Sequence, residues 1–470
     1  MTVFVKQKRT EMNSSLRKES LPRHILSLLV RPIVAGLLLL NQVGCEKTVN
    51  PELPIEALRE NVFAIDPENY SGPVKHLTKP GVIFVPAKQA SSSALGVSSS
   101  AEFLGPESCR DCHSAHVDSC SATAHYRTFR LPTPDSLPDS FQPGKNVLLT
   151  SESDLSFQMN KRGEEYFQDL MIQRRNQTYV HSRRIDYVTG SAKYGQTFLY
   201  VENQCLYELP VSYFTDLGEW INSPGYVDGV ANFARPISSR CLECHTTWFR
   251  QEGKPINRFI DEGAVFGITC EKCHGPGREH VDYHRRNPAE TEPAHIINPG
   301  DLSRDLAMDL CSLCHSGVGE AVQPAFSFRP GDKLADFVKI PPDSESGPGG
   351  VHSANQQARM ALSKCFQQSP DMQCTTCHNP HHQERGNAKL FIERCFQCHE
   401  AGDCRIVKET GAAAEGRCID CHMPSRADSQ MPMQKENETF RPMLRDHLID
   451  VWDDKTSEVL KEIASGGGKP

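Results

Sequence analysis

The chain has 470 residues, 38 % of them hydrophobic, with a mean hydropathy of −0.48; it is long enough for two or three domains but thinly supplied with apolar side chains to fill them. Its formal charge is −8, and from Cys45 onward 44 basic residues face 57 acidic ones. That balance argues against a nucleic-acid partner. Where charge steering operates it favours a basic partner protein, although acidity also serves solubility.

Seven Lys/Arg precede the apolar run PIVAGLLLL at residues 32–40, which is short for a membrane span and ends at NQVGC. Residues 1–45 therefore read as a signal peptide, and the product as periplasmic or otherwise extracytoplasmic. Nineteen cysteines suit such a compartment. Cys45 after Gly44 resembles a lipoprotein cleavage site, although Gln42 stands where that pattern has Leu. A lipidated Cys45 or an uncleaved leader would tie the protein to a membrane; a soluble product is the alternative. Met12 is a second candidate start, since it would shorten a long leader.

Residues 46–104 read as a Pro-containing spacer, with a Ser/Ala-rich linker at 88–102 (KQASSSALGVSSSAE). The patterned chain runs over 105–452. Within it, 141–214 is strand-like: LSFQMNKRGEEYFQDLMI predicts two runs about a turn at 160–163, and TFLYVENQCLYELPVSYF is aromatic and β-branched. This module either docks a partner or covers cofactor edges, and covering is the favoured role. Elsewhere short helices are expected, as in DLAMDLCSLCH, NQQARMALSKCF and REHVDYHRR, broken by Pro and Gly. Residues 453–470 predict a short helix and a flexible tail. The fold class expected is mainly α and irregular, with a small β-rich insertion and few long regular elements.

One motif recurs seven times: CRDCH, CLECH, CEKCH, CSLCH, CTTCH, CFQCH and CIDCH. Its cysteines are Cys109 and Cys112, Cys241 and Cys244, Cys270 and Cys273, Cys311 and Cys314, Cys374 and Cys377, Cys395 and Cys398, and Cys418 and Cys421. The histidines that follow are His113, His245, His274, His315, His378, His399 and His422. With 19 Cys and 19 His in 470 residues, chance would produce about 0.03 copies in the chain. A zinc ribbon needs the thiolates but has no use for His in the next position every time. A thioredoxin-like pair would occur once, beside a βαβ unit, and no such unit is legible. The pattern is that of covalent c-haem: two thioethers fix the porphyrin edge to the backbone and the adjacent imidazole reaches the iron from the same turn. Seven haem c groups would also supply the apolar surface that the side chains lack.

Eleven further histidines beyond the leader's His24 are available for seven distal positions. In REHVDYHRR, His280 and His284 stand at i, i+4 on one face of the expected helix, and His280 is the favoured ligand; zinc binding or a solvated face are the alternatives.

The segments ESCRDCH with TAHYRT, RCLECHTT, GITCEKCHGPGREHV, CTTCHNPH and CIDCHMP with LRDH downstream resemble the multihaem cytochrome c group that includes the cytochrome c-552/c-554 type and is related to cytochrome c nitrite reductase and hydroxylamine oxidoreductase. The resemblance covers residues 105–450. It implies distal ligation by His125, His280, His381 and His447, with His352 in GGVHSANQ a further candidate. His116, His181, His295 and His382 lack a matching motif, and Met360 in a short amphipathic helix reads as packing.

Cys120, Cys205, Cys365 and Cys404 stand outside the motifs, as two disulfides with three conceivable connectivities or as buried free thiols. An iron with two strong axial ligands exchanges electrons but binds no substrate, so function depends on the sixth position. The resemblance to nitrite reductase lacks that family's CxxCK motif, and Tyr194, Tyr200, Tyr207 and Tyr213 match no segment that places a crosslinking tyrosine as in hydroxylamine oxidoreductase. The leading expectation is an electron-transfer relay serving redox partner proteins. The alternative is a multihaem oxidoreductase acting on a small nitrogen or sulfur compound at one five-coordinate haem.

Overall fold

The computed structural model describes residues 62–64, 81–84, 100–174, 177–252, 257–317, 319–340, 351–352 and 354–466. The predicted leader, with His24 and Cys45, lies outside the described residues, as do most of the spacer and linker and the last four residues of the tail.

Two strands come from the stretch expected to be a spacer. β1 (Val62–Ala64) and β2 (Gly81–Phe84) form a parallel sheet with β13 (Val230–Asn232), in the order β1-β2-β13. Composition hid them because three- and four-residue strands leave no periodicity to read.

The β-rich part is larger than the expected insertion, and this corrects the mainly α expectation. A four-stranded antiparallel sheet runs in the order β4 (Val147–Leu149), β5 (Leu155–Arg162), β6 (Glu165–Arg174), β7 (Gln177–Arg184). The β5–β6 hairpin has Arg162 opposite Glu165, so the turn falls at Gly163 and Glu164, past the predicted Asn160. A seven-stranded sheet follows. Its main path is β12 (Glu219–Asn222), β11 (Val211–Phe214), β9 (Gly195–Glu202), β10 (Cys205–Glu208), β14 (Arg235–Pro236), with β8 (Tyr187–Thr189) bridging β9 and β3 (Phe129–Arg130). The β9–β10 turn places Asn203 and Gln204 at φ +52° and +63°, the left-handed pair that a two-residue hairpin requires.

β9 is buried on both faces, which explains why TFLYVE reads as continuously apolar. Phe198 and Tyr200 enter a core shared with Leu148, Phe157, Leu170, Tyr207 and Trp220. Leu199 points the other way, into a second core with Phe129, Tyr187, Trp248, Phe249 and Phe259. The second core is closed by the hairpin of β15 (Thr246–Gln251) and β16 (Phe259–Phe266). β15 starts directly after His245, and β16 ends four residues before Cys270. The sheets thus frame the second and third Cys-x-x-Cys-His motifs.

Beyond residue 300 the chain is carried by short helices and three two-stranded ladders. The expected helices are present at Arg278–Arg286, Arg304–His315, Gln356–Ala361, Lys364–Gln368 and Asp453–Ala464. No helix among the described residues is long and apolar enough to cross a membrane.

The doubly buried strand should dominate the stability of this scaffold. Phe198→Ala, at a fully covered site against Trp220, should cost about 3–5 kcal/mol, read as a fall in the midpoint of chemical denaturation followed by far-ultraviolet circular dichroism.

Candidate functional site

Each Cys-x-x-Cys-His motif folds as one helical turn. Short helices cover Ser239–His245, Cys270–His274, Cys374–Cys377 and Cys418–His422, and longer ones begin or end on the other motifs. In the fifth and sixth motifs the histidine amide donates to the carbonyl of the first cysteine, His378 to Cys374 at 2.9 Å and His399 to Cys395 at 3.0 Å. The turn brings the two sulfurs and the imidazole to one side of the backbone.

The histidines then meet in pairs. Ring centroids of His113 and His280 are 6.4 Å apart with planes at 22°, and those of His274 and His381 are 6.0 Å apart at 11°. His378 and His447 are 6.0 Å apart at 22°, and His125 and His315 are 6.1 Å apart at 54°. Two imidazoles bound to one iron from opposite faces, with metal–nitrogen bonds of about 2 Å, hold their centroids about 6 Å apart. Four of the five distal candidates therefore face a motif histidine at the spacing that a haem iron would need. His352 does not; its Nδ1 instead meets the buried carboxylate of Asp428 at 2.9 and 3.1 Å.

The other ring nitrogens support the same geometry. Nδ1 of His274 lies 2.8 Å from the Ile297 carbonyl, that of His422 2.9 Å from Asp450, that of His280 2.8 Å from Ala294 and that of His447 3.2 Å from Arg445. Spending Nδ1–H on a carbonyl leaves Nε2 as a free lone pair aimed away from the backbone. Burial holds His125 and His447 at about 4, with the facing motif histidine adding to the shift, so both imidazoles are neutral across ordinary pH. Between 278 and 307, and again between 364 and 391, no side chain reaches full burial, although these stretches carry paired histidines. The residues fit haem c.

Two acidic residues inside the motifs, which sequence reasoning passed over, tie the sites together. Glu271 of CEKCH is buried and accepts from the amides of Leu104 (2.9 Å), Gly105 (2.8 Å) and Gly277 (2.8 Å). It thereby pins the segment leading into the first motif onto the third, where the Cys109 and Cys270 sulfurs adjoin. Glu243 of CLECH pairs with Arg240 and accepts from the Phe326 amide at 2.8 Å, while Arg240 also donates to the carbonyl of Leu313, inside the fourth motif. Cys244 and Cys314 adjoin there, and Cys311 adjoins Cys374 of the fifth. An acid between motif cysteines was the available signal.

The distal histidines are held as firmly. Gly267, at φ +70°, lets the chain pass so close to Tyr126 that a Cβ would lie 2.1 Å from its carbonyl oxygen, and the Ile268 amide bonds the His125 carbonyl at 2.9 Å. Asp446, preceding His447, forms a buried two-bond pair with Arg359 at 2.9 and 2.6 Å. Burial alone would raise the Asp428 carboxyl, but bonds from His352, Gln430 and Met431 hold it below the usual range. Glu384 bonds Arg394, which holds its pKa at about 2, and accepts from Asn379, whose side chain accepts from the His381 amide at 3.0 Å.

Among the histidines given no role, His116 lies 5.5 Å from His381, His284 lies 4.7 Å from His280, His295 stands 3.7 Å from Glu279, His382 is exposed and His181 packs edge-on to Phe233. Met360 is buried as packing, and Tyr200 and Tyr207 lie in the sheet core. Cys120, Cys205, Cys365 and Cys404 are unpaired.

This repeated unit, with its opposed histidines, defines a multihaem c-type cytochrome. A family-level comparison agrees. Residues 229–275 match the family described as cytochrome c554 and c-prime. The dissimilatory sulfite reductase MccA of Wolinella succinogenes is 20 % identical in an alignment of 391 positions that covers 69 % of this chain and 51 % of that protein; the chain spans about half the length of this relative. The outer cell wall cytochrome OcwA, a solved structure, is 18 % identical, with a TM-score of 0.48 over 78 % of this chain and 84 % of its own.

Two perturbations test the anchors. Arg359→Leu removes the two-bond partner of the buried Asp446 carboxylate, leaving Arg426 at 3.8 Å and the Leu448 amide at 2.9 Å, and should cost about 3 kcal/mol, read by denaturation. Glu384 is ionised well below its ordinary value of 4.5, so its contribution to stability is full above that pH and is lost as pH falls toward about 2. Acid titration followed by circular dichroism should show Glu384→Gln less stable than the parent near neutrality and the difference vanishing at the acid end.

Proposed function

We propose that the chain is an extracytoplasmic cytochrome carrying seven c haems and passing electrons along them between redox partner proteins. The observation that carries this reading is the set of four opposed histidine pairs. An iron held between two imidazoles has no position for substrate, so those four sites are suited to electron exchange alone. The haem supplies the reversible one-electron chemistry; the chain supplies fourteen cysteine attachments, axial ligands and spacing. Adjoining attachment sulfurs arrange the first site beside the third, the second beside the fourth, and the fourth beside the fifth. In this reading His352, oriented by Asp428, is a fifth distal ligand. Export rests on the leader, membrane attachment on Cys45, and neither the partners nor the oligomer is specified by any feature.

A second reading, a multihaem oxidoreductase for a small nitrogen or sulfur compound, is favoured by two observations. Among the described residues no second histidine ring faces His245, His399 or His422 at the paired spacing. The similarity to a dissimilatory sulfite reductase points to sulfite as the first substrate to try.

The purified protein should give a pyridine haemochrome count near seven per chain, and a colourless product would sink both readings. His125→Ala and His447→Ala should each convert one haem from low to high spin in electron paramagnetic resonance; unchanged spectra would reject those ligands. A ferric high-spin signal in the parent protein that shifts on adding sulfite, nitrite or hydroxylamine would favour the enzyme, and purely low-spin signals the relay.

A further inference from the structure

The second motif is held differently from its neighbours. Nδ1 of His245 lies 2.8 Å from the Thr128 hydroxyl and 3.1 Å from the Thr189 hydroxyl, whereas His274 and His422 meet main-chain carbonyls. The two threonines converge because β3 and β8 pair antiparallel with Phe129 opposite Thr189, and the Gly190 amide bonds the Thr128 carbonyl at 2.8 Å. The two hydroxyls stand at hydrogen-bond distance from the ring, and the Thr128 carbonyl, which accepts from Gly190, also acts on it. Both side chains branch at Cβ, so few rotamers are open to them and the hydroxyls stay where the strands put them.

The proton on Nδ1 sets how strongly the opposite nitrogen donates to a metal. A strong acceptor draws that proton off and makes the ring more basic; a hydroxyl does so less than a carbonyl or a carboxylate. From this geometry we infer that Thr128 and Thr189 are positioning residues for the second haem site, orienting His245 while leaving it a weaker donor to iron than His274 and His422, so that this site is reduced at a higher potential than those two. The inference rests on haem attachment at the second motif. It gives the site that lacks a facing histidine a second distinction, and it places an electron sink beside the fourth site, to which the His125–Thr128 segment also belongs.

The test uses the full-length haem-loaded protein, titrated potentiometrically in the visible and by electron paramagnetic resonance. Thr189→Asp supplies a stronger acceptor and should move a single one-electron wave to lower potential. Thr128→Val with Thr189→Val removes both hydroxyls and should move the same wave upward, and serine at both positions should restore it. No movement of any wave in either variant, or an equal shift of all waves, overturns the inference. So does a shift that the serine variant fails to reverse, which would mark mere disruption of packing. The haem count is measured first on the parent protein: absence of haem there defeats the attachment reading itself, whereas a full count with immobile waves defeats only the role of the threonines.

Discussion

The arrangement that governs this protein is an imidazole facing an imidazole at about 6 Å. Each pair joins a histidine fixed in a helical turn by its neighbouring cysteines to one delivered from a remote part of the chain: His125 to His315, His280 to His113, His381 to His274, His447 to His378. Much of the surrounding structure serves to bring these rings into register, and burial lowers the pKa of His113, His125, His378, His381 and His447. A charged imidazole has no lone pair for a metal, and depth in the fold suppresses protonation.

Two kinds of interior do this work. In the sheets, β9 and its neighbours are buried on both faces among Phe157, Phe198, Trp220 and Trp248, a conventional apolar core. Around the third to fifth motifs full burial of side chains is scarce, and order comes from polar anchors: Glu271 on three amides, Arg240 with Glu243, Arg359 with Asp446, Glu384 with Arg394. Buried ion pairs hold geometry well even where their net contribution to stability is small, because removing one partner strands the other. That suits sites where position matters more than bulk stability.

The two regions meet at the second motif. His245 closes a helix, opens β15, and receives the hydroxyls of Thr128 and Thr189 from the paired edge of the large sheet. The β-rich part thus holds the imidazole of His245 in place. Similarity to the cytochrome c554 and c-prime model falls on residues 229–275, the stretch in which β13, β14, the second motif, the β15–β16 hairpin and the third motif follow one another.

The amino-acid sequence alone determined the chemistry of attachment, because the thiols and imidazole of each unit lie within five consecutive residues and need no distant partner. Through a family resemblance it also singled out His125, His280, His381 and His447, whose rings the structure brings opposite motif histidines, and its pattern showed the turn that ends at Gly163. Only the tertiary structure decided which ring faces which, that His352 turns to Asp428, that Glu271 and Glu243 are tethers, and that the β framework runs on to Phe266 and gathers strands from residues 62–84. Those outcomes depend on contacts between segments far apart in the chain, such as Leu104 and Glu271, 167 residues apart, and such contacts are set by packing and by the demand that buried carboxylates find donors, neither of which leaves a local pattern.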